Sequence, residues 1–399
     1  MTTSAFAPLK DTKLFAPTKI GTCELQHRIV QAPCTRMRGV KESDGINVPG
    51  DLMVNYYGLR ATKGGLQITE ATDISLYASG YPGIPGIFTS SQMSGWKKVT
   101  DAVHRKGSYI FLQIWHTGRA SPPSFRGGKP SISSSNHPMD GDWLDGTSCA
   151  SSPPSPMTVD EIQAVVKDFA EAARNAVQAG FDGVEIHCAN GYLLEQFLHD
   201  NINDRTDDYG GSIQNRCKFP LDVLKAVCEA IGPEKVGIRL SPWNYFQSTK
   251  DSNRLDHWSY LCEQLAALPT GQKPAYVHMV EPRFDEILDE QQKIESLSSG
   301  DKETSISLLP FRNILQKGGI PFISAGCFNW ENAVPKLESG ATDLVCFGRW
   351  FISNPDLPKK LADGIPLTNY DRSTFYFTVP PEKGYTDYPI STAEAAEAA

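Results

Sequence analysis

No two of the nine cysteines stand in a C-x-x-C pair, and their number is odd. Scattered single cysteines exclude a disulfide framework and a zinc knuckle, and point to a reducing compartment. No run of Lys and Arg is longer than a pair such as Lys97-Lys98 or Lys359-Lys360, and 38 basic against 46 acidic side chains leave a net charge of −8. That balance offers no footprint for nucleic acid or an anionic membrane. The opening stretch MTTSAFAPLKDTKLF has no apolar leader core, and nothing later approaches the ~18 apolar residues of a membrane span. The expectation is a cytoplasmic protein without membrane or nucleic-acid partners. G-x-G-x-x-G is missing too, which excludes a Rossmann dinucleotide fold. H-x-H and H-E-x-x-H are also missing, so no metal is expected.

What is present is an alternation. Short runs rich in Val, Ile, Leu and Phe occur at 27–33, 65–70, 109–115, 183–187, 236–241, 276–281, 321–325 and 343–347. Such runs read as buried parallel strands, and eight of them close a barrel. Between them lie helical stripes. The clearest has Ile162, Val165, Val166, Phe169, Ala173 and Ala176 on one face, Thr158 and Glu161 as a capping box, and Gly180 as the stop. Further helices are expected over 51–63, 92–105, 212–231, 256–268, 303–316, 330–338 and 355–362. The fold class is therefore α/β, a (β/α)8 TIM barrel in a single domain over 1–399, with its core at about 14–389 and a flexible tail at 390–399. Residues 117–157, dense in Ser, Pro and Gly, are too long for an ordinary βα connection and are expected to form a decorated loop or lid after strand 3.

In such a barrel the chemistry gathers where strands end. Gly326, Gly348 and Arg349 follow strands 7 and 8, where glycine backbone and a guanidinium suit a phosphate; tight turns with a solvated arginine are the alternative. Gln113 and Arg239 end strands 3 and 5 and suit the polar edge of a flavin, although Arg239 could instead pair with a carboxylate such as Glu281. His187 and Asn190, three residues apart after strand 4, can donate to one carbonyl oxygen. Tyr192 is a phenol protonated at neutral pH and able to serve as a general acid.

These residues, with the segments APCTRMR (32–38), FDGVEIHCANGYLLEQFL (181–198), VGIRLSP (236–242) and CFGRWFISNPDL (346–357), resemble the Old Yellow Enzyme family of FMN-dependent ene-reductases. DRSTFY and YTDYPI resemble its fungal members. The resemblance implies FMN bound non-covalently at the barrel mouth by Pro33, Thr35, Ala71, Gln113, Arg239, Gly326, Gly348 and Arg349. It implies that His187 and Asn190 bind the substrate carbonyl, that Tyr192 donates a proton, and that Trp115 and Tyr376 line the substrate pocket. Cys327 stands where many members carry Asn or Gly.

The activity so implied is reduction of the C=C bond of α,β-unsaturated aldehydes or ketones by a ping-pong route. NADPH or NADH reduces FMN, hydride passes from N5 to Cβ, and Tyr192 protonates Cα. A flavin-dependent isomerase or a tailoring enzyme of fungal secondary metabolism is the alternative. A monomer or a homodimer is expected.

Overall fold

The computed structural model describes residues 2–285, 288, 292, 293, 295, 296 and 306–391. Residues 303–305 of the helix expected from Glu303, and 392–399 of the expected tail, lie outside the described residues. Eight strands form the centre: β1 (Ile29–Gln31), β2 (Leu66–Ile68), β3 (Tyr109–Trp115), β4 (Gly183–Cys188), β5 (Val236–Leu240), β6 (Tyr276–Val280), β7 (Phe322–Ala325) and β8 (Leu344–Phe347). Each pairs in parallel with the next, and β8 returns to β1 through Val345 opposite Ile29, so the sheet closes. The eight expected runs are these strands.

Register decides what fills the bore. Residues directly opposite on neighbouring strands share a face, and the inward set Val30, Leu66, Ile68, Phe111, Tyr276, Ile323 and Leu344 packs as one buried cluster. Gly237 makes room for the Tyr276 ring, since a Cβ there would fall 2.2 Å from its Cζ. The outward set, including Ile110, Leu112, Val184, Ile186, Val277 and Phe322, packs against the surrounding helices.

Those helices are α1 (Asp51–Arg60), α2 (Ser90–His104), α3 (Val159–Gln178), α4 (Leu193–Leu198), α5 (Ile213–Ile231), α6 (Arg254–Ala267), α7 (Leu309–Lys317), α8 (Ala333–Glu338), α9 (Arg349–Ser353) and α10 (Leu357–Asp363). In α3 the capping box forms as read: Glu161 N–H donates to Thr158 Oγ1 at 3.2 Å, and Thr158 N–H to Glu161 Oε2 at 2.7 Å. Losing that cap costs about 1 kcal/mol. Phe169 on its inner face is fully buried, a contribution of roughly 1.5–3 kcal/mol.

Two antiparallel hairpins, 18–25 and 40–48, were not expected. Their strands are too short for alternation to show. Ile20, Cys23 and Leu25 of the first join the bore cluster and stopper the barrel's amino-terminal end.

Residues 117–157 run from β3 to α3 as a loop decorated with short 3-10 turns and two-residue strands. None of its residues lines the central cavity. Arg119 folds this segment on itself by donating to His137 O at 2.9 Å and ties it to the loop after β5 by donating to Gln247 O at 2.8 Å. The outer wall of the cavity comes from farther along the chain, at Tyr370, Phe375 and Tyr376. Arg36 and Arg38 hold that segment in place by donating to the carbonyls of Phe375, Gly384, Thr374 and Pro381.

Candidate active site

One cavity of 1070 Å³ opens at the carboxyl ends of the strands. Its wall includes Pro33, Thr35, Gln113, Trp115, His187, Asn190, Tyr192, Arg239, Gly326, Gly348, Arg349 and Tyr376. Residues spread over more than 340 positions of sequence thus converge, because all but Tyr376 follow or end a barrel strand. Ala71 is the exception among the expected site residues: it is buried behind the wall, packed with Ile84 and Trp115.

The strand-4 end is built around a turn in which Asn190 and Gly191 both take left-handed backbone, with φ of +55° and +76°. A Cβ on Gly191 would lie 2.7 Å from Gln247 Cβ, so glycine is required there. The turn delivers Tyr192 to the start of α4, with its ring centroid 5.0 Å from that of His187 and 4.5 Å from that of Trp115. Trp115 is itself fixed, its indole N–H donating to Asp73 Oδ1 at 2.7 Å. Burial lifts the Asp73 carboxyl to about 7, against the hydrogen bonds from Ser79 and Trp115. Tyr81 stacks on Trp115 and hydrogen-bonds Tyr192, and burial pushes its phenol to about 12.

Burial, and then the Arg239 and His278 charges, depress His187 well below the usual imidazole range. A neutral ring donates through one nitrogen only. His187 and Asn190 can therefore offer N–H groups to an oxygen without placing a cation beside it.

Gln113 and Arg239 meet the cavity above a polar layer that the sequence reading missed. Glu185 of β4, wholly buried, accepts from Gln113 Nε2 at 2.8 Å and lies 2.9 Å from His278 Nδ1. The available signal was its place in G-V-E-I-H, two residues before His187 and on the same face. Arg239 has no ion pair among the described residues, and its Nε is buried without a partner. Glu281, the carboxylate considered for it, pairs with Lys336 at 2.8 Å.

At the far end Gly326 has φ +124°, and a Cβ there would lie 2.9 Å from Phe284 Cβ. Cys327, at φ +51°, occupies a backbone position that favours Gly or Asn. Arg349 opens α9, donates to Asp285 O at 2.9 Å and lies over the Phe284 ring. His116 and His199 lie off the cavity wall. His116 accepts from Gly118 N–H through Nδ1, and His199 sits between Asp251 and Glu195.

An orphaned guanidinium nitrogen, an amide whose Nε2 is already committed, and a glycine-and-arginine end in one cavity fit a ring cofactor carrying a phosphate. The family model described as NADH:flavin oxidoreductase / NADH oxidase matches residues 13–368. The flavin oxidoreductase hxnT of Emericella nidulans is 61% identical over 378 residues, covering 95% of this chain and 97% of that protein. The 12-oxophytodienoate reductase 1 of Oryza sativa subsp. japonica is 47% identical over 378 residues, covering 94% and 93%. Among solved structures, morphinone reductase in complex with tetrahydroNAD superposes with a TM-score of 0.82 at 38% identity, over 96% of this chain and 99% of that one. The old yellow enzyme homologue from Zymomonas mobilis gives 0.83 at 36%, over 95% and 100%. The chain belongs to the NADH:flavin oxidoreductase family of Old Yellow Enzymes, FMN flavoproteins built on the TIM barrel.

Proposed function

We propose that this chain reduces the C=C bond of α,β-unsaturated aldehydes and ketones with NADPH or NADH, in one cavity that serves both half-reactions. The observation that carries the reading is the convergence of His187, Asn190 and Tyr192 on the wall that also bears Gln113, Arg239 and Arg349. Its relatives include proteins named as reductases, which supports net reduction over isomerisation.

Arg349, with the backbone at Gly326 and Gly348, would grip the FMN phosphate. Gln113 and Arg239 would bind the polar edge of the ring, with Arg239 favouring negative charge there; Pro33 and Thr35 would line its other side and Ala71 would back it. Bound FMN supplies the hydride, taken from the nicotinamide and delivered to Cβ. His187 and Asn190 donate hydrogen bonds to the carbonyl oxygen, which stabilises the charge that gathers on it as Cβ is reduced. The Tyr192 hydroxyl gives its proton to Cα and regains one from solvent, so the product carries two more hydrogens than the enone. Trp115 and Tyr376 confine the substrate.

A phenol that binds as phenolate mimics the negative oxygen and gives a long-wavelength charge-transfer band with oxidised flavin. The FMN-loaded protein is expected to show that band with 4-hydroxybenzaldehyde, and His187→Ala combined with Asn190→Ala to abolish it. A band of native strength in the double variant would refute the assignment.

A further inference from the structure

We infer that Asn244 decides which atom of the Asn190 amide faces the substrate, and so acts as a positioning residue for the carbonyl contact; this rests on the reading of Asn190 given above. An asparagine amide has a donor end and an acceptor end, and only the donor end stabilises a developing oxyanion. Rotating the amide by half a turn would turn attraction into repulsion.

The orientation is fixed by a chain that starts at a group with no ambiguity. Phe246 N–H, a donor only, donates to Asn244 Oδ1 at 3.2 Å. The other end of that amide is then a donor, and Asn244 Nδ2 donates to Asn190 Oδ1 at 3.0 Å. Asn190 Oδ1 is thereby occupied, and Nδ2 is the end left for the cavity that Asn190 lines. Asn244 is buried and does not line the cavity itself, so its effect on the carbonyl contact passes through Asn190.

The rest of the turn is locked independently. Asn190 N–H donates to Ser241 Oγ at 2.7 Å, Ser241 Oγ donates to Glu195 Oε1 at 2.5 Å, and Glu195 also accepts from Gly191 N–H. Backbone position thus depends on Ser241 and Glu195, whereas amide orientation depends on Asn244. Asn244 in turn is held by its N–H to Ser241 O and by Thr249 Oγ1 donating to its carbonyl.

The test uses two variants of the FMN-loaded protein at pH 8, with 4-hydroxybenzaldehyde titrated through its charge-transfer band and FMN affinity measured separately by fluorescence. Asn244→Asp substitutes an acceptor for the donor, so the introduced carboxylate draws Asn190 Nδ2 to itself and turns Oδ1 toward the ligand. Asn244→Ala merely frees the amide. The phenol dissociation constant is expected to rise about tenfold or more in Asn244→Asp and by a smaller factor in Asn244→Ala, with FMN affinity within about twofold of native in both. Were Asn244→Asp to lose FMN or fail to fold, Asn244→Ala alone decides: weaker phenol binding at unchanged FMN affinity supports the inference. Native phenol affinity in Asn244→Ala, or Asn244→Asp no weaker than Asn244→Ala, would overturn it. Asn190→Ala separates the two claims. If that variant binds the phenol as tightly as native protein, the reading of Asn190 falls and the inference with it; if it weakens while the Asn244 variants do not, only the inference falls.

Discussion

Gln113 donates its Nε2–H to the wholly buried carboxylate of Glu185 at 2.8 Å. Burial disfavours charge on Glu185, yet His278, Arg239 and the Gln113 hydrogen bond together keep its carboxyl below the usual range. It therefore fixes the Gln113 amide, leaving Oε1 as the acceptor, and balances the charge of Arg239. Glu185→Gln removes the charge at nearly constant shape. Removing one member of a buried charged set costs about 3–5 kcal/mol, so the melting temperature should fall and FMN should bind more weakly by fluorescence titration. Native values of both would show that the layer beneath the ring site is passive.

Tyr192→Phe keeps the aromatic contacts with His187 and Trp115 and deletes only the hydroxyl. The rate of reoxidation by an enone is expected to fall about 10²-fold or more, while flavin reduction by the nicotinamide stays near native. Rapid-mixing measurement of each half-reaction separates them. Equal damage to both would remove Tyr192 from the proton-donor role.

Arg349→Ala takes a charge from the glycine-lined end of the cavity. Charge-assisted hydrogen bonds contribute about 1.5–3 kcal/mol each, so FMN affinity should drop by roughly tenfold to a hundredfold. Riboflavin, which has no phosphate, should bind native and variant equally. A parallel loss for both ligands would place the phosphate elsewhere.

His199 predicts a pH dependence of stability. Burial opposes its charge, but Asp251 at 3.1 Å and Glu195 at 3.6 Å raise the imidazole to about 9 from its ordinary 6.5. The folded state therefore binds the proton more tightly than the unfolded one. Its contribution is complete below pH 6.5 and is lost as pH rises to about 9, at up to about 1.4 kcal/mol per pH unit. Melting temperatures across that window should decline, and His199→Gln should flatten the decline. An equally steep fall in the variant would assign the dependence to other groups.

The barrel was legible because its strands are buried on both faces and so appear as continuous apolar runs, each closed by a turn. The cavity's lining was legible where polar residues stand at strand ends, as Arg239 and Arg349 do. Three kinds of feature were not. The hairpins at 18–25 and 40–48 are built from strands of three or four residues, below the length at which alternation registers. Glu185 hid because an acid inside an apolar strand betrays its partners only once register sets Gln113 beside it and brings His278 within reach. The source of the outer wall was the third, because loop length shows that 117–157 is decorated but not which wall it builds; Arg36 and Arg38, by anchoring 374–384, give the outer wall to a later segment.

The most direct test of the account is an anaerobic titration of the purified protein followed at ~450 nm, the oxidised flavin's own band. NADPH or NADH should bleach it, and 2-cyclohexenone should restore it with one enone reduced per flavin reoxidised. A protein that stays colourless in excess FMN, or whose bleached form no enone restores, would contradict the account.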